Sequence, residues 1–189
     1  EIARAGGGMS RIVNTRQLSQ TVQMLTRKTV VTTIQQAVNR ELRQVFGAES
    51  VEALPPERRG EVVRVIDELG ESSPLRVALL IDTSASMRPK LAAVEEAIRD
   101  LVLSLQSRSG RSEIAVFHFP DSEDGDGCVC DLDWTDNIAG VKRILTRLSM
   151  RGTTPTGPAM MQVIDFFRQG DYGRTIRGET DGMIGEDVV

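Results

Sequence analysis

The sequence predicts an α/β fold: an open, mostly parallel sheet with helices on both faces, preceded by an N-terminal helical segment. The first observation is that short apolar runs, beginning with RVALLI at 76–81, alternate with stretches whose apolar residues recur every three or four positions. Such alternation is typical of a parallel sheet with helical connections. The second observation is that only the helical period occurs before residue 71.

The domain boundaries follow from changes in composition along the chain. Apolar residues recur at helical spacing from Met9 to Phe46, although the β-branched run at 29–33 leaves open whether this is one long helix or two. A second helix is expected to start at the two prolines 55–56 and to end at Gly70. We therefore predict a flexible tail at 1–8, a basic helical region at 9–70, a linker at 71–74 and an α/β domain at 75–189.

Within the α/β domain, apolar runs and helical periods predict three strands and three helices before residue 168. The expected strands are 76–81, Ile114–Phe119 and Cys128–Trp134. The first expected helix has Pro89 in its first turn, the second spans Asn137–Leu148 and the third spans Pro158–Phe167.

Composition excludes several classes of protein. The chain has 189 residues, of which 40% are hydrophobic and 26% charged, an ordinary globular composition. Its two cysteines, Cys128 and Cys130, are too close to frame a disulfide scaffold, and we expect two free thiols. No apolar run approaches the roughly 18 residues that a membrane span requires. A transmembrane segment is therefore not expected.

Charge is divided unevenly along the chain. Residues 1–47 hold seven Arg and Lys against two acids, whereas 48–189 hold sixteen against twenty-five. The basic helices could dock on protein, including the acidic region of this chain, or bind nucleic acid or an anionic membrane surface. Aromatic residues for base stacking are absent from them apart from Phe46, which favours docking on protein over nucleic acid.

The end of the first predicted strand contains the candidate functional residues. The run LLIDTSASM at 79–87 places the carboxylate of Asp82 and the hydroxyls of Ser84 and Ser86 at alternate positions. These oxygen donors lie where open α/β sheets bind ligands, and they suit a hard cation such as Mg²⁺, although other groups must complete its six positions. The alternative interpretation is a cluster of helix-capping residues after a strand.

This pattern resembles the metal-ion-dependent adhesion site of the von Willebrand factor A (VWA) domain family, bacterial intracellular type, which reads D-x-S-x-S after an apolar strand. The family's next ligand is a threonine in a glycine- and proline-containing loop before a helix; GTTPTGPA at 152–159 stands there. The resemblance implies a Rossmann-like sheet from residue 75 to 189 and makes Thr154 that ligand. Thr153 is the alternative.

The family also places an aspartate after the next strand, often in a T-D-G tripeptide, and the chain has TDG at 180–182. The resemblance therefore implies Asp181 as a ligand through water; the alternative is an exposed acid in a turn. Here the sequence departs from the family, because the preceding segment 174–180 contains Arg177 and Glu179, which do not suit a strand buried on both faces. This segment is expected at an exposed edge, or the end of the domain is shortened and rearranged.

The resemblance implies a function as well. VWA domains generally bind a partner's Asp or Glu through an incompletely coordinated Mg²⁺, Mn²⁺ or Ca²⁺, and cytoplasmic bacterial members often act with AAA+ ATPases or kinase–phosphatase systems. We expect a metal-dependent protein-interaction module in the cytoplasm, and not an enzyme. The alternative is a metal-assisted hydrolase at the same site, but no G-x-S-x-G elbow, P-loop or H-E-x-x-H motif supports it.

Two further features receive structural interpretations. The acidic run DSEDGDG at 121–127 lacks the length and closing Glu of an EF-hand loop, so we expect a solvated turn between two strands. His118, the only histidine, lies within a predicted strand and is expected to have a structural role.

Overall fold

The computed structural model describes residue 3 and residues 8–46, 50–145 and 147–181; for residues 46, 138, 139, 142 and 170–181 it describes the backbone only. The helices and strands of these ranges are α1 (Leu18–Phe46), α2 (Pro56–Ser72), β1 (Leu75–Asp82), α3 (Leu91–Gln106), β2 (Ser112–Phe119), β3 (Val129–Thr135), α4 (Ile138–Leu145) and α5 (Thr156–Asp181). Short 3₁₀ turns occur at Thr15–Gln17, Val51–Ala53 and Ala85–Lys90.

The three strands form one sheet in the order β1–β2–β3. Two backbone hydrogen bonds join β1 to β2: Leu75 N to Arg111 O (2.9 Å) and Thr83 N to Phe119 O (2.8 Å). The donor and the acceptor are the same number of residues apart in both bonds, so β1 and β2 run parallel. Strand β3 pairs antiparallel with β2. A parallel pair joined by a helix confirms the predicted α/β class, and β3 adds an antiparallel strand, a common feature of such sheets.

The chain divides into two compact units. The first, here called the helical unit, comprises Glu1–Val77 and Pro89–Glu113; the second, the sheet unit, comprises Ala78–Arg88 and Ile114–Val189. Strands β1 and β2 each begin in the helical unit and end in the sheet unit. The carboxyl ends of both parallel strands therefore belong to the sheet unit.

In the helical unit, α1 packs against α2 and α3. One cluster of buried apolar residues consists of Leu42, Val51, Leu54 and Ile66. Ser19 near the start of α1 donates a hydrogen bond to Asp100 of α3. Val31, Ile34, Val38 and Leu42 of the basic N-terminal segment thus pack within this chain, as expected for one apolar face of a helix.

Two details of these helices differ from the local sequence signals. The β-branched run at 29–33 does not divide α1, because packing of residues such as Val31 against the core compensates for weak helix propensity. Helix α2 was expected to end at Gly70 but continues to Ser72. Gly70 is buried within α2, and a Cβ there would lie 3.9 Å from Val31 Cγ2, an ordinary van der Waals distance, so the glycine does not act as a helix terminator here.

Arg108 holds the end of α2 in place. Its guanidinium donates to the carbonyl oxygens of Gly70 (2.8 Å) and Ser73 (2.9 Å) and to the hydroxyl of Ser112 (2.9 Å). A cation at a helix C-terminus satisfies carbonyls that lack intrahelical partners and complements the helix dipole. This contact fixes the start of β1, which follows directly.

The core of the sheet unit lies between the sheet and α5. Ala115 and Phe117 of β2 pack with Val163 of α5. Aromatic rings extend this contact: the centroid of Phe117 lies 5.0 Å from that of Phe166, and Trp134 lies 4.8 Å from Phe167 in a similar edge-to-face arrangement. Helix α5 therefore covers one face of β2 and β3.

The C-terminal part of the domain departs from the expected strand. Residues 174–180 belong to α5, which runs on to Asp181 instead of ending near Phe167. A helix does not require its residues to be buried on two faces and so accommodates charged residues such as Arg177 and Glu179, whereas a two-side-buried strand does not. Smaller differences are a one-residue shift of β3, an earlier end of α4 at Leu145 and an earlier start of α5 at Thr156. In the described ranges, no helix is long and apolar enough to span a membrane.

Candidate metal centre

The residues after β1 form a tight turn around Asp82. Its Oδ1 accepts a hydrogen bond from the backbone N–H of Ser84 (2.8 Å), and the carbonyl of Ser84 accepts one from Met87 (2.9 Å). Short polar side chains such as Asp commonly stabilise turns in this way. The described residues provide no hydrogen-bond donor to Oδ2 of Asp82, which leaves this oxygen available for another ligand.

The hydroxyl oxygens of Ser84 and Ser86 lie 3.2 Å apart. Because Mg²⁺ binds oxygens at about 2.1 Å in an octahedron, neighbouring ligand oxygens are separated by roughly 3 Å. The two hydroxyls therefore already have the spacing of adjacent ligands. The donor set fits a hard divalent cation.

Thr83, which lies between Asp82 and Ser84, anchors the turn. It is 1% exposed, and both its backbone N–H (2.8 Å) and its hydroxyl (2.9 Å) donate to the carbonyl of Phe119 at the end of β2. A buried hydroxyl needs a partner to offset its desolvation, so these bonds hold the turn at a fixed position on the sheet. The sequence interpretation gave Thr83 no role.

A second loop, residues 150–154, joins the first through three hydrogen bonds. The N–H of Arg151 donates to the carbonyl of Thr83 (2.8 Å), and the N–H of Ala85 donates to the carbonyl of Gly152 (3.3 Å). A guanidinium nitrogen of Arg88 donates to the carbonyl of Met150 (3.2 Å). The structure therefore brings together the two motifs that the sequence identified about 70 residues apart.

The second loop contains two threonines, Thr153 and Thr154, directly after Gly152. Thr153 and Thr154 are both exposed in the joined loop, and the carbonyl of Thr154 accepts a hydrogen bond from Thr156 at the start of α5 (2.9 Å). Either hydroxyl is close in the chain to Gly152, which contacts the β1 turn. Thr154 stays the prediction, with Thr153 as its alternative.

Asp181 is the last residue of α5, and its side chain lies outside the described residues. Its role as a ligand through water therefore stays a prediction. The backbone of the 26-residue helix α5 places Asp181 roughly 38 Å along the helix axis from Thr156, so it does not bring Asp181 to the turn after β1.

Gly152 allows the second loop to lie close to the segment that follows β2. Its φ angle is +75°, a conformation that favours glycine. A Cβ at this position would lie 2.7 Å from the carbonyl oxygen of Glu123 and 2.8 Å from Cγ of Pro120. The glycine is thus required by both backbone conformation and space, and it was the sequence signal for this contact.

The other candidate residues have structural partners. Nδ1 of His118 lies 2.6 Å from Oδ2 of Asp131 on the neighbouring strand, and both side chains are about four-fifths buried. The acidic segment 121–127 connects β2 to β3, and the N–H of Asp121 donates to the carbonyl of Gly127. In the part of the chain that the structure describes, no three His, Cys, Asp or Glu side chains converge as metal ligands. The site after β1 instead combines one carboxylate with hydroxyls.

The two thiols are stabilised in their protonated form. Burial raises the pKa of the Cys128 thiol, and neighbouring Cys130 and the carboxylates of Asp121 and Asp131 act in the same direction. The pKa of Cys130 is also raised, chiefly by burial and then by Asp133. Such thiols are poor nucleophiles near neutral pH because the thiolate is the reactive form.

We expect Gly152→Ala to lower the free energy of unfolding by about 1–3 kcal/mol, the usual range for a strained backbone residue. Chemical denaturation measures this change. Gly157→Ala is the matched control, because a Cβ there meets nothing within 4 Å. Equal stability of the two variants would contradict the assigned role of Gly152.

We also expect slow alkylation of both thiols at neutral pH. In the single-cysteine variants Cys128→Ser and Cys130→Ser, the rate with iodoacetamide should rise only at a pH above that at which free cysteine reacts, since the raised pKa delays thiolate formation. Rates that reach their maximum at or below the pH of free cysteine would show that the environment does not raise these pKa values.

Comparison with known proteins agrees with this geometry. Residues 77–182 match the family model described as von Willebrand factor type A domain. The uncharacterized protein YabS of Bacillus subtilis (strain 168) is 48% identical over 162 residues, which cover 85% of this chain and 65% of YabS. The chain thus spans about two-thirds of the length of that relative.

A solved structure shares the fold. The crystal structure of an uncharacterized protein from Alicyclobacillus acidocaldarius subsp. acidocaldarius DSM 446 matches with a TM-score of 0.82 and 40% identity, over 93% of this chain and 73% of that one. The family match includes both loops of the candidate metal centre and more than half of the sequence. The chain belongs to the von Willebrand factor type A domain family.

Proposed function

We propose that this protein is a metal-dependent protein-interaction module. Its ligands are Asp82, Ser84, Ser86 and Thr154. The bound ion is Mg²⁺, with Mn²⁺ or Ca²⁺ as substitutes. The observation that supports this most strongly is the 3.2 Å separation of the two serine hydroxyls beside a carboxylate oxygen without a hydrogen-bond donor.

The rigidity of the loops supports the proposal. Thr83 is held by β2 on one side and by Arg151 on the other, so Asp82 and Ser84, which flank it, need little rearrangement to bind an ion. A site whose ligands are held in place beforehand loses less conformational entropy on binding. The second loop, whose backbone is bonded to the β1 turn, would supply the hydroxyl of Thr154 as a further ligand without requiring another carboxylate.

The donor set also suggests what binds next. A divalent ion held by one carboxylate and neutral hydroxyls retains positive charge and open coordination positions, which attract a carboxylate. The partner would therefore present an Asp or Glu, and the surface around that acid would decide which protein binds. The resemblance to bacterial VWA proteins suggests a cytoplasmic complex that contains an AAA+ ATPase or a kinase–phosphatase system.

We propose binding rather than catalysis. A metal-assisted hydrolase needs a general base beside the site. His118, the only histidine of the chain, pairs with Asp131 through Nδ1 and has a structural role in joining β2 to β3. The residues that surround Asp82 in the two loops contribute hydroxyls and backbone groups.

Calorimetric titration with Mg²⁺ and Mn²⁺ tests the site. We expect Asp82→Ala to weaken binding by about tenfold or more, because it removes the only charged ligand of the β1 turn. Thr154→Ala should weaken it less, and Thr153→Ala should leave it unchanged if Thr154 is the ligand. Asp165→Ala, which removes an exposed carboxylate from α5, is the matched control.

Thermal melts of each variant show whether it remains folded. Equal affinity of the wild type and a folded Asp82→Ala variant would contradict the metal centre. The reverse order for the two threonines would move the ligand role to Thr153 and leave the centre itself in place.

A further inference from the structure

A cleft of about 270 Å³ in the sheet unit has no role in the function proposed above. Polar residues from β2, β3 and the segment after α4 line it: His118, Asp131, Arg147, Ser149 and Arg151. Apolar side chains, Ile144 among them, form the rest of its wall. Most of the lining residues are polar or charged, so the cleft suits a polar ligand.

The charges in this cleft favour an anion. Asp131 is the acid among the lining residues, and its carboxylate is engaged by His118 at 2.6 Å. Arg147 and Arg151 are exposed, and no acidic side chain among the described residues pairs with either guanidinium. Their positive charges are therefore available to a ligand.

The cleft adjoins the candidate metal centre. The N–H of Arg151 donates to the carbonyl of Thr83, so one residue contributes both to the cleft and to the fixed position of the β1 turn. Pro120, another lining residue, follows Phe119, whose carbonyl holds Thr83. Since Arg151 precedes Thr154 by three residues, their backbones are separated by about 11 Å at most.

We propose that this cleft binds a second carboxylate of the same partner segment, a few residues away from the acid at the metal centre. This inference rests on the proposed function. The guanidinium group presents paired donors that match a carboxylate, and two arginines on one side of a cleft provide that geometry. The partner is then a protein with two acidic residues about three positions apart in an extended segment.

Two linked acids would bind more tightly than one. Once the first is bound, the second is held at a high effective concentration next to its own site. The two-site arrangement would also discriminate against proteins that present a single exposed acid, because these gain only one contact. The arginines thus supply specificity that a metal ion alone cannot.

Titrations of the isotope-labelled full chain, followed by NMR, test this with blocked glycine-based peptides. One peptide carries a single Glu, a second carries two Glu separated by two residues, and a third carries Gln at both positions. With Mg²⁺ we expect the two-Glu peptide to bind at least about tenfold more tightly than the single-Glu peptide. It should shift backbone signals of both Ser149 in the cleft and Ser86 in the β1 turn.

Variants separate the two sites. Arg147→Gln/Arg151→Gln should abolish the advantage of the second Glu and the shifts in the cleft, while the single-Glu peptide still shifts Ser86 in a Mg²⁺-dependent way. Arg64→Gln/Arg99→Gln removes the same charge from exposed positions of the helical unit and should change nothing. With EDTA, weak binding in the cleft should persist and the shifts at Ser86 should disappear.

Each contrary result has one meaning. Equal affinity of the cleft variant and the wild type for the two-Glu peptide would overturn the inference and leave the metal centre intact. Shifts at Ser86 that do not depend on Mg²⁺ would overturn the proposed function, while shifts in the cleft would still support its carboxylate site. Tighter binding in the cleft of a peptide with phosphoserine in place of the second Glu would overturn the assignment to a carboxylate.

Discussion

The structure around the candidate site depends on Thr83, which is held from two directions. Its N–H and hydroxyl donate to the end of β2, and its carbonyl accepts from Arg151 in the loop before α5. These bonds join three separate parts of the sequence at the carboxyl ends of two parallel strands. Buried as they are, they would be costly to break, since each loss would leave a polar group without a partner. Everything proposed for this protein uses that fixed geometry.

Neighbouring residues of this turn therefore have different roles. Inward-facing Thr83 fixes the turn, while Asp82, Ser84 and Ser86 on either side supply oxygens with the spacing of adjacent metal ligands. Gly152 lets the second loop lie close to Pro120 and Glu123 in the segment after β2. The same loop continues into the arginines of the neighbouring cleft, so that two binding chemistries share one scaffold of backbone contacts.

Much of this arrangement could be predicted from sequence because it rests on local patterns. Strand β1, the D-x-S-x-S turn and the glycine-containing loop each have a strong signature, and strand topology brings their ends together. The unpredicted parts depend on tertiary contacts. Glycine is typical of a helix end, yet Gly70 lies within α2. The pairing of His118 with Asp131 could be predicted only from the β2–β3 register. No hydrophobic period or motif in the sequence indicates that Arg147 and Arg151 line a cleft.

The segment that ends at Asp181 shows a different limit. Its charged residues argued against a buried strand, but the family pattern of strand and T-D-G tripeptide favoured one; the structure continues α5 instead. Charged residues such as Arg177 and Glu179 disfavour a strand buried on both faces, so local helix formation can prevail over a family-like strand.

Soaking crystals with Mn²⁺ and recording anomalous diffraction tests the central claim most directly. A peak within about 2.2 Å of oxygens of Asp82, Ser84 and Ser86 is the predicted result, because the pre-arranged turn already matches octahedral ligand spacing. No peak at this turn, with manganese bound instead in the acidic segment 121–127, would contradict the account.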